Sequence, residues 1–252
     1  MKPLIYILAF LYSISFFAQN NKVFEHANSL YTEGNYTEAI EEYNAILETD
    51  VHSADLYFNI ANAHYKLNHI APSIYYYEKA LLLRPNDEDI KNNIAYARNM
   101  TIDAIDILPE VGFSRLIKNV TNTTSFDNWA KLAVGLVFAF VILFLIYYFS
   151  LSTSKKRIAF ISSIACLFLS SIAVTLAFNK YKLVESDQPA IVFAQEAQIK
   201  SEPNLRSSEA FKLHEGTKVQ IIDTIKNWKE IRITDGKTGW VLNTDIKMLK
   251  AF

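Results

Sequence analysis

The chain has 252 residues, of which 51% are hydrophobic and 20% are charged, and its 25 basic residues nearly balance its 26 acidic ones. A formal net charge of -1 lacks the positive excess of a nucleic-acid-binding protein, and this apolar content argues against a disordered acidic chain. The single cysteine, Cys166, forms neither an internal disulfide nor a multi-cysteine zinc site, and six scattered glycines do not make a phosphate-binding loop.

Residues 1–19 have the order of parts that is typical of a secretory signal peptide. A single positive charge, at Lys2, precedes a long apolar run, and the small residue Ala18 follows that run. Phe16, two positions before Ala18, is unusual at a cleavage site, so a cleaved signal and an uncleaved anchor both remain open. In either case, the segment that follows is expected to be exported.

The next segment repeats with a period of 34 residues when residues 23–56 are aligned with residues 57–90. Each repeat contains two stretches with small or aromatic residues three and four positions apart, which predicts a pair of amphipathic helices. A third stretch, residues 88–100, has the pattern of a first helix and is expected to cover the last repeat. The matched pairs are Ala27 with Ala61, Tyr31 with Tyr65, Ile40 with Ile74, Tyr43 with Tyr77, and Leu47 with Leu81.

This pattern resembles the tetratricopeptide repeat, which has Gly then Tyr at the turn between its helices, here Gly34 and Tyr36, and a terminal Pro, here Pro85. The second repeat departs from the family pattern at Asn68. The resemblance implies an all-α domain over residues 20–100 whose concave face, lined by the first helices, binds a partner. The residues expected on that face are Phe24, Asn28, Tyr31, Phe58, Asn59, Asn62, Tyr65, Lys66, Asn93 and Tyr96.

Asparagine and tyrosine suit the binding of an extended peptide, because amides can bond its backbone and tyrosine supplies stiff contact area. Asn28 and Asn59 match the two asparagines of the carboxylate-clamp repeats, which hold the C-terminal ends of peptides. The basic partners of that clamp are missing, since Phe24, Asp89 and Asn93 stand in their places. This argues against capture of a terminal carboxylate and leaves open a face that is only a solvated polar surface.

Two long apolar runs, residues 132–149 and 158–178, contain no charged residue. Each is long enough to cross a bilayer as a helix, whereas the buried core helices of a soluble domain would keep a polar stripe. We therefore predict membrane-spanning helices over residues 129–151 and 158–178. The preceding residues 101–128 fit a plain linker or, over residues 113–120, a short amphipathic helix on the membrane surface equally well.

Residues 152–157, which connect the two predicted spans, carry three positive charges, and this predicts a cytoplasmic loop. Together with the export signal, this bias places both large soluble segments in the periplasm, on a bacterial inner membrane. The apolar runs 132–149 and 158–178 contain no charged residue, so the hairpin is expected to be an anchor and not an ion pathway. Residues 179–187 are expected to be a linker.

After the hairpin, short alternating runs indicate an all-β domain over residues 188–252. It resembles the bacterial SH3 family (SH3b) through the Glu215-Gly216 turn, Trp228, and the hairpin over residues 235–241. The resemblance implies a small barrel that binds peptides or cell-wall fragments, although Trp228 could instead only pack, and Trp240 is expected in the core. The alternating runs are residues 190–194, 197–201, 217–225, 228–234 and 238–243, and the candidate ligand residues are Arg206, Asn227, Trp228 and Lys229.

No pattern of catalytic residues is present, and we predict no enzymatic activity, cofactor or metal. The five histidines form no HxxxH or HExxH pair, and the spacing of His64 and His69 predicts different faces of a helix. No serine lies in a GxSxG elbow.

The fold class is therefore a multidomain membrane protein with an all-α repeat domain, a transmembrane helical hairpin and a small all-β SH3-like barrel. This order of parts, with the NNIAYAR and DNWAKLA segments, resembles the BatE proteins of the Bat (aerotolerance) group. The resemblance implies a non-enzymatic scaffold beside von Willebrand A-domain membrane proteins and, indirectly, a MoxR-type ATPase. The alternative is a tether or sensor that binds peptidoglycan through SH3b.

Overall fold

A computed structural model describes residues 20–103 and 112–250 of the chain. The predicted signal peptide, residues 1–19, lies outside the described residues. The chain forms two compact units, and the first of them is discontinuous in sequence. It combines the residues up to 107 with those from 188 onward, whereas the second unit comprises residues 108–187.

The first unit begins with five helices that confirm the predicted repeats. Helix α1 covers residues 20–33, and it is followed by α2 (Tyr36–Leu47), α3 (Ala54–Lys66), α4 (Ile70–Leu83) and α5 (Glu88–Arg98). Small residues at matched positions, such as Ala27 and Ala61, are fully buried and let the helices approach closely. Ser53 and Asp87, which are also one period apart, cap α3 and α5 by accepting hydrogen bonds from backbone N–H groups.

The turns within the two repeats share a left-handed backbone residue. Gly34 has a φ of 89°, and Asn68, one period later, has a φ of 56°. Asparagine is among the few residues other than glycine that tolerate this conformation. The departure of the second repeat from the family pattern at Asn68 therefore leaves the turn intact.

The C-terminal part of the first unit is a seven-stranded antiparallel sheet. Its strands are β1 (Pro189–Val192), β2 (Glu196–Lys200), β3 (Glu209–His214), β4 (Lys218–Ile225), β5 (Trp228–Arg232), β6 (Thr238–Leu242) and β7 (Ile246–Met248). Their order across the sheet is β3-β2-β6-β5-β4-β1-β7.

Strands β3 and β7 were not predicted, and one residue, Trp240, lies on the other side of the sheet from the one expected. In β3 only Leu213 is buried, so the alternation is weak, and β7 is only 3 residues long. Trp240 is half-buried and lies outside the core, because its neighbours Gly239 and Val241 on β6 are the buried ones. Successive side chains of a strand point to opposite faces, so Trp240 faces away from the core.

The second unit contains helices α6 (Phe113–Thr121), α7 (Phe126–Phe149) and α8 (Thr153–Ser186). By length and composition, α7 and α8 can each cross a membrane. Small residues of α8 face α7, and the Ser170 hydroxyl donates to the carbonyl oxygen of Ala133 at 3.1 Å. Helix α8 is longer than predicted, since it includes residues 153–157 of the predicted loop and 179–186 of the predicted linker.

Candidate functional site

The first helices of the repeats, α1 and α3, form a pocket of about 300 Å³ together with α5 and one side chain of α4. We call it the repeat pocket. Of the residues that line it, only Tyr77 was absent from the predicted set. The sequence did contain a signal for Tyr77, because it repeats Tyr43 after one period. The lining residues are Tyr31, Phe58, Asn62, Tyr65, Lys66, Tyr77, Asn93 and Tyr96.

A hydrogen-bonded group of two asparagines and one tyrosine occurs twice in the repeats. In the first, the Asn28 side-chain oxygen accepts from the Tyr43 hydroxyl at 2.6 Å and from the Asn59 amide at 2.9 Å. One period later, the Asn62 side-chain oxygen accepts from the Tyr77 hydroxyl and from the Asn93 amide. Each group joins neighbouring first helices to a second helix, so it holds these amides in fixed positions.

The tyrosines of these groups stay neutral hydrogen-bond donors. Burial raises the pKa of Tyr43 to about 12, an effect that outweighs the lowering by the Asn59 side chain. Burial also raises the pKa of Tyr77. Among the described residues, the bonds of this group use the side-chain oxygen of Asn62 and the side-chain N–H of Asn93, so the Asn62 N–H groups and the Asn93 side-chain oxygen can bond a ligand.

Three residues of the predicted concave face do not line the repeat pocket. Asn28 and Asn59 bond to each other beside it, as described above. Phe24 packs on Tyr43, with ring centroids 5.8 Å apart, and lines a different depression with Ile46 and Leu56. The structure therefore gathers the predicted binding residues toward α3 and α5 and leaves the start of α1 out.

The sheet packs against the second helix of the second repeat, a contact that the sequence analysis did not foresee. Ile191 and Leu249 of the sheet are fully buried in the same cluster as Tyr57 and Ile74 of the repeats. We call this contact region the junction. Gly216 lies in it with a φ of 85°, and an added Cβ would stand 2.9 Å from the methyl groups of Ile70, Ile74 and Thr101. Glycine is therefore required there by conformation and by space.

Asp103 joins the end of the repeats to the turn between β3 and β4. Its carboxylate accepts from the His214 backbone N–H at 2.7 Å, from the His214 ring nitrogen Nδ1 at 2.7 Å and from the Thr217 hydroxyl at 2.6 Å. Burial by itself would raise the pKa of Asp103, but these hydrogen bonds outweigh burial and lower it. The residue lies in what the sequence analysis treated as a linker.

Two further contacts hold the junction together. Glu78 of α4 is 6% exposed and bonds both Arg98, at 2.6 Å, and Lys218 of β4, at 2.7 Å. The Tyr75 ring meets Phe193 edge-on at 5.6 Å, and Lys247 Nζ lies 4.7 Å from the centre of the same Tyr75 ring. No local pattern could have signalled the contacts of α4 with the sheet, because Phe193, Lys218 and Lys247 lie more than a hundred residues from their partners along the chain.

Of the predicted SH3b ligand residues, three are consecutive in the chain and one lies elsewhere. Asn227, Trp228 and Lys229 follow the turn at Lys226, and Trp228 is half-buried. Arg206 belongs to the loop between β2 and β3. Since Lys200 of β2 pairs antiparallel with Trp240, that loop continues toward the β5–β6 turn, away from the end of β5 where Trp228 lies.

His64 and His69 are closer than their spacing suggested. Their Nδ1 atoms are 3.1 Å apart, because α3 ends at Lys66 and His69 lies at the N-cap of α4. Burial, then the neighbouring His69 and Lys247, lower the pKa of His64 to about 4. The residues that the structure describes contain no cluster of three or more histidine, cysteine or acidic side chains that could hold a metal ion.

Comparison with protein families identifies both soluble segments. Residues 196–247 match the bacterial SH3 domain, residues 27–68 match a TPR repeat model, and residues 54–87 match a tetratricopeptide repeat model. A comparison of the chain with curated proteins found no match. The chain thus carries tetratricopeptide repeats and a bacterial SH3 domain, which are typically non-catalytic interaction domains, with two apolar helices between them.

Proposed function

We propose that the protein is a non-enzymatic, membrane-anchored scaffold that binds a protein partner in the repeat pocket. One observation carries the proposal: only one of the two faces of the repeats is covered by another part of the protein. The face of α4 is covered by the protein's own sheet, whereas the repeat pocket stays open and groups five aromatic side chains, two amides and one lysine. Stiff aromatic rings with fixed amides provide contact area and directed hydrogen bonds to a peptide.

The chemistry of the pocket favours a particular peptide. Tyr96 is 63% exposed at the rim, and Phe58 lies beside Tyr77, with ring centroids 5.9 Å apart. These rings favour a ligand with a large apolar side chain. Lys66 is the only charged residue of the lining, so an acidic residue next to that side chain would be favoured.

The junction supports the proposed two-span topology. The repeats precede α7 and the sheet follows α8, yet Ile191 and Leu249 share one buried cluster with the repeats. Such a cluster can form only if both segments lie on the same side of a bilayer, which requires an even number of crossings. Two spans satisfy this, and the predicted export signal at residues 1–19 favours a cytoplasmic turn, with both domains in the periplasm of a bacterial inner membrane.

The resemblance to the BatE proteins extends the proposal to specific partners. It favours von Willebrand A-domain membrane proteins as the direct partners in a Bat-type complex, with a MoxR-type ATPase bound indirectly. A periplasmic segment of such a protein would reach the repeat pocket from the same membrane.

The proposal is tested by recovering partners of the tagged full chain from detergent-solubilised native membranes and quantifying them by mass spectrometry. We expect von Willebrand A-domain proteins to co-elute with the wild type and to fall at least about tenfold with the double variant Lys66→Ala, Tyr96→Ala. Leu83→Ala is the matched control, since Leu83 is 44% exposed and outside the pocket. Equal recovery with the pocket variant and with the control would refute the pocket as the binding site.

A second function, binding of peptidoglycan through SH3b, is favoured by the position of Trp228. The junction uses β1, β7 and the turn between β3 and β4, which leaves the turn before Trp228 outside that contact. The test is sedimentation of the protein with purified cell wall. A tether predicts that Trp228→Ala abolishes sedimentation and leaves partner recovery unchanged, whereas a scaffold predicts no sedimentation above background for either protein.

A further inference from the structure

Helix α6 has two chemically different sides. Leu116, Ile117 and Val120 lie three and four positions apart on one side, and they are 61%, 42% and 48% exposed. Arg115 and Lys118 lie on the other side. Exposed apolar residues in this arrangement are typical of a helix that lies in the plane of a membrane interface.

Contacts within the second unit place α6 at one end of the apolar hairpin. The Trp129 ring N–H donates to the carbonyl oxygen of Thr121 at 3.2 Å, and the Lys180 ammonium donates to the Asn122 side chain at 2.7 Å. The rings of Phe126 and Tyr181 meet edge-on at 5.7 Å beside these bonds.

These contacts fix the depth of α6 relative to the apolar runs. Trp129 lies three residues before the charge-free residues 132–149, and Lys180 lies two residues after the charge-free residues 158–178. Tryptophan, tyrosine and lysine are the residues that anchor spanning helices at the headgroup level. Helix α6 therefore lies at the depth where the two spans leave the hydrocarbon.

The charge at this end of the hairpin is mainly positive. Over residues 112–131 and 179–187, five basic residues accompany three acidic ones. Basic side chains next to a membrane-embedded apolar face attract anionic lipids. The basic residues are Arg115, Lys118, Lys131, Lys180 and Lys182, and the acidic ones are Asp127, Glu185 and Asp187.

We propose that α6 lies in the headgroup region of the bilayer, with its apolar side toward the acyl chains, and that anionic lipid headgroups bind its basic side. This inference rests on the proposed membrane insertion of α7 and α8. It assigns a lipid surface as the partner of a segment that neither the repeats nor SH3b includes.

The test uses the full chain with Cys166→Ala, which removes the only cysteine. An environment-sensitive fluorophore is attached at Leu116→Cys or Val120→Cys, and the protein is reconstituted in vesicles of equal parts phosphatidylcholine and phosphatidylglycerol with spin-labelled lipids. We expect blue-shifted emission and strong quenching by lipids that carry the spin label near the headgroup. Asn119→Cys, on the polar side of α6, is the matched control and should be quenched at least about twofold less.

A label at Phe138→Cys, near the middle of α7, tested with lipids that carry the spin label deep in the acyl chain, separates the inference from the proposed anchor. Quenching at position 138 without quenching at 116 and 120 would overturn the interfacial position of α6 alone. A blue shift at 116 without lipid quenching would mean that protein covers this side, and it would also overturn the proposal. If position 138 is not quenched, the membrane insertion itself is wrong.

The role of lipid charge is tested with the same quenching assay in vesicles of a different lipid composition. Replacing phosphatidylglycerol by phosphatidylcholine should reduce quenching at position 116, and Arg115→Gln with Lys118→Gln should remove this dependence on lipid charge. Quenching that is the same in both lipids would overturn the assignment of anionic headgroups.

Discussion

The two faces of the repeats are built from the same periodic sequence, yet one is open and the other is covered by the sheet. The face with the repeat pocket leaves Tyr96 and the amides of Asn62 and Asn93 accessible to a ligand. The face of α4 is closed by the sheet, with Glu78 held between two cations and Gly216 against three methyl groups. The difference teaches that a short array with only two repeats can complete its core with a different domain in place of further repeats.

The largest expected effect comes from Gly216→Ala in the junction. The added methyl group meets three side-chain atoms at 2.9 Å and forces a non-glycine residue to adopt a φ of 85°. Left-handed strain and overpacking together predict a loss of about 2–5 kcal/mol in the free energy of unfolding. Denaturant unfolding of the detergent-solubilised chain measures it.

Gly34→Ala is the matched control for that variant. Gly34 has a similar φ of 89°, but no atom lies within 4 Å of the position of the added Cβ. It should therefore lose only the conformational part, about 1–2 kcal/mol. Equal losses for the two variants would show that the junction is not tightly packed at Gly216.

Glu78→Gln should have the next largest effect. The substitution removes the charge from a side chain that is 6% exposed and that bonds both Arg98 and Lys218. Hydrogen bonds to charged groups predict a loss of about 2 kcal/mol in the free energy of unfolding. Glu196→Gln, which breaks the exposed pair with Lys212, should have a much smaller effect, because exposed ion pairs contribute little to stability. If both variants unfold alike, the junction pair contributes no more than a surface pair.

The third prediction concerns pH and His64. Its folded pKa, about 4, lies below the ordinary value of 6.5, so the unfolded chain binds more protons between these values. Stability should therefore be full above pH 6.5 and fall as the pH drops toward 4, by about 2 kcal/mol at pH 4.5.

The group that causes this dependence is identified by substitution. His64 faces His69, the Tyr76 ring and Lys247, and His64→Asn should remove most of the fall between pH 6.5 and 4.5. His26→Asn, at an exposed site on α1, should leave the fall unchanged. Unfolding curves at several pH values compare them, and a persisting fall in His64→Asn would assign it to other groups.

The smallest effect on stability is expected in the repeat pocket. Tyr96→Ala truncates a side chain that is 63% exposed, so its free energy of unfolding should change by less than about 0.5 kcal/mol. The same variant should lose partner recovery. A large destabilisation would mean that Tyr96 belongs to the core, and the difference between the two faces would disappear.

The sequence predicted contacts between neighbouring repeats well, whereas it did not predict contacts between residues far apart along the chain. The period of 34 places Asn62 one repeat after Asn28, and it correctly indicated the helices and most of the pocket lining. Tyr77 was missed because it reaches the pocket from a second helix. Asp103 was assigned to a linker, because its partners His214 and Thr217 lie more than a hundred residues away and follow no period.

The burial errors have local causes. The SH3b resemblance suggested that Trp240 is buried, but the alternation within β6 gives the buried positions to Gly239 and Val241. Likewise, two residues five positions apart in one helix would point in different directions. His64 and His69 are instead joined by the turn between two helices, which brings their rings together. In both cases the prediction was wrong because the local course of the backbone determines which side chains are buried or in contact.

The shared buried cluster has a consequence for biogenesis. During synthesis, the repeats emerge first, and Ile74 and Tyr75 must wait for Ile191 and Leu249, which follow both apolar helices. Contacts as distant as that of Tyr75 with Met248 form slowly, and exposed apolar surface invites misassembly meanwhile. A chain that stalls before the sheet is made would therefore present an unfinished core, and the repeats complete their packing only after the sheet has been synthesised.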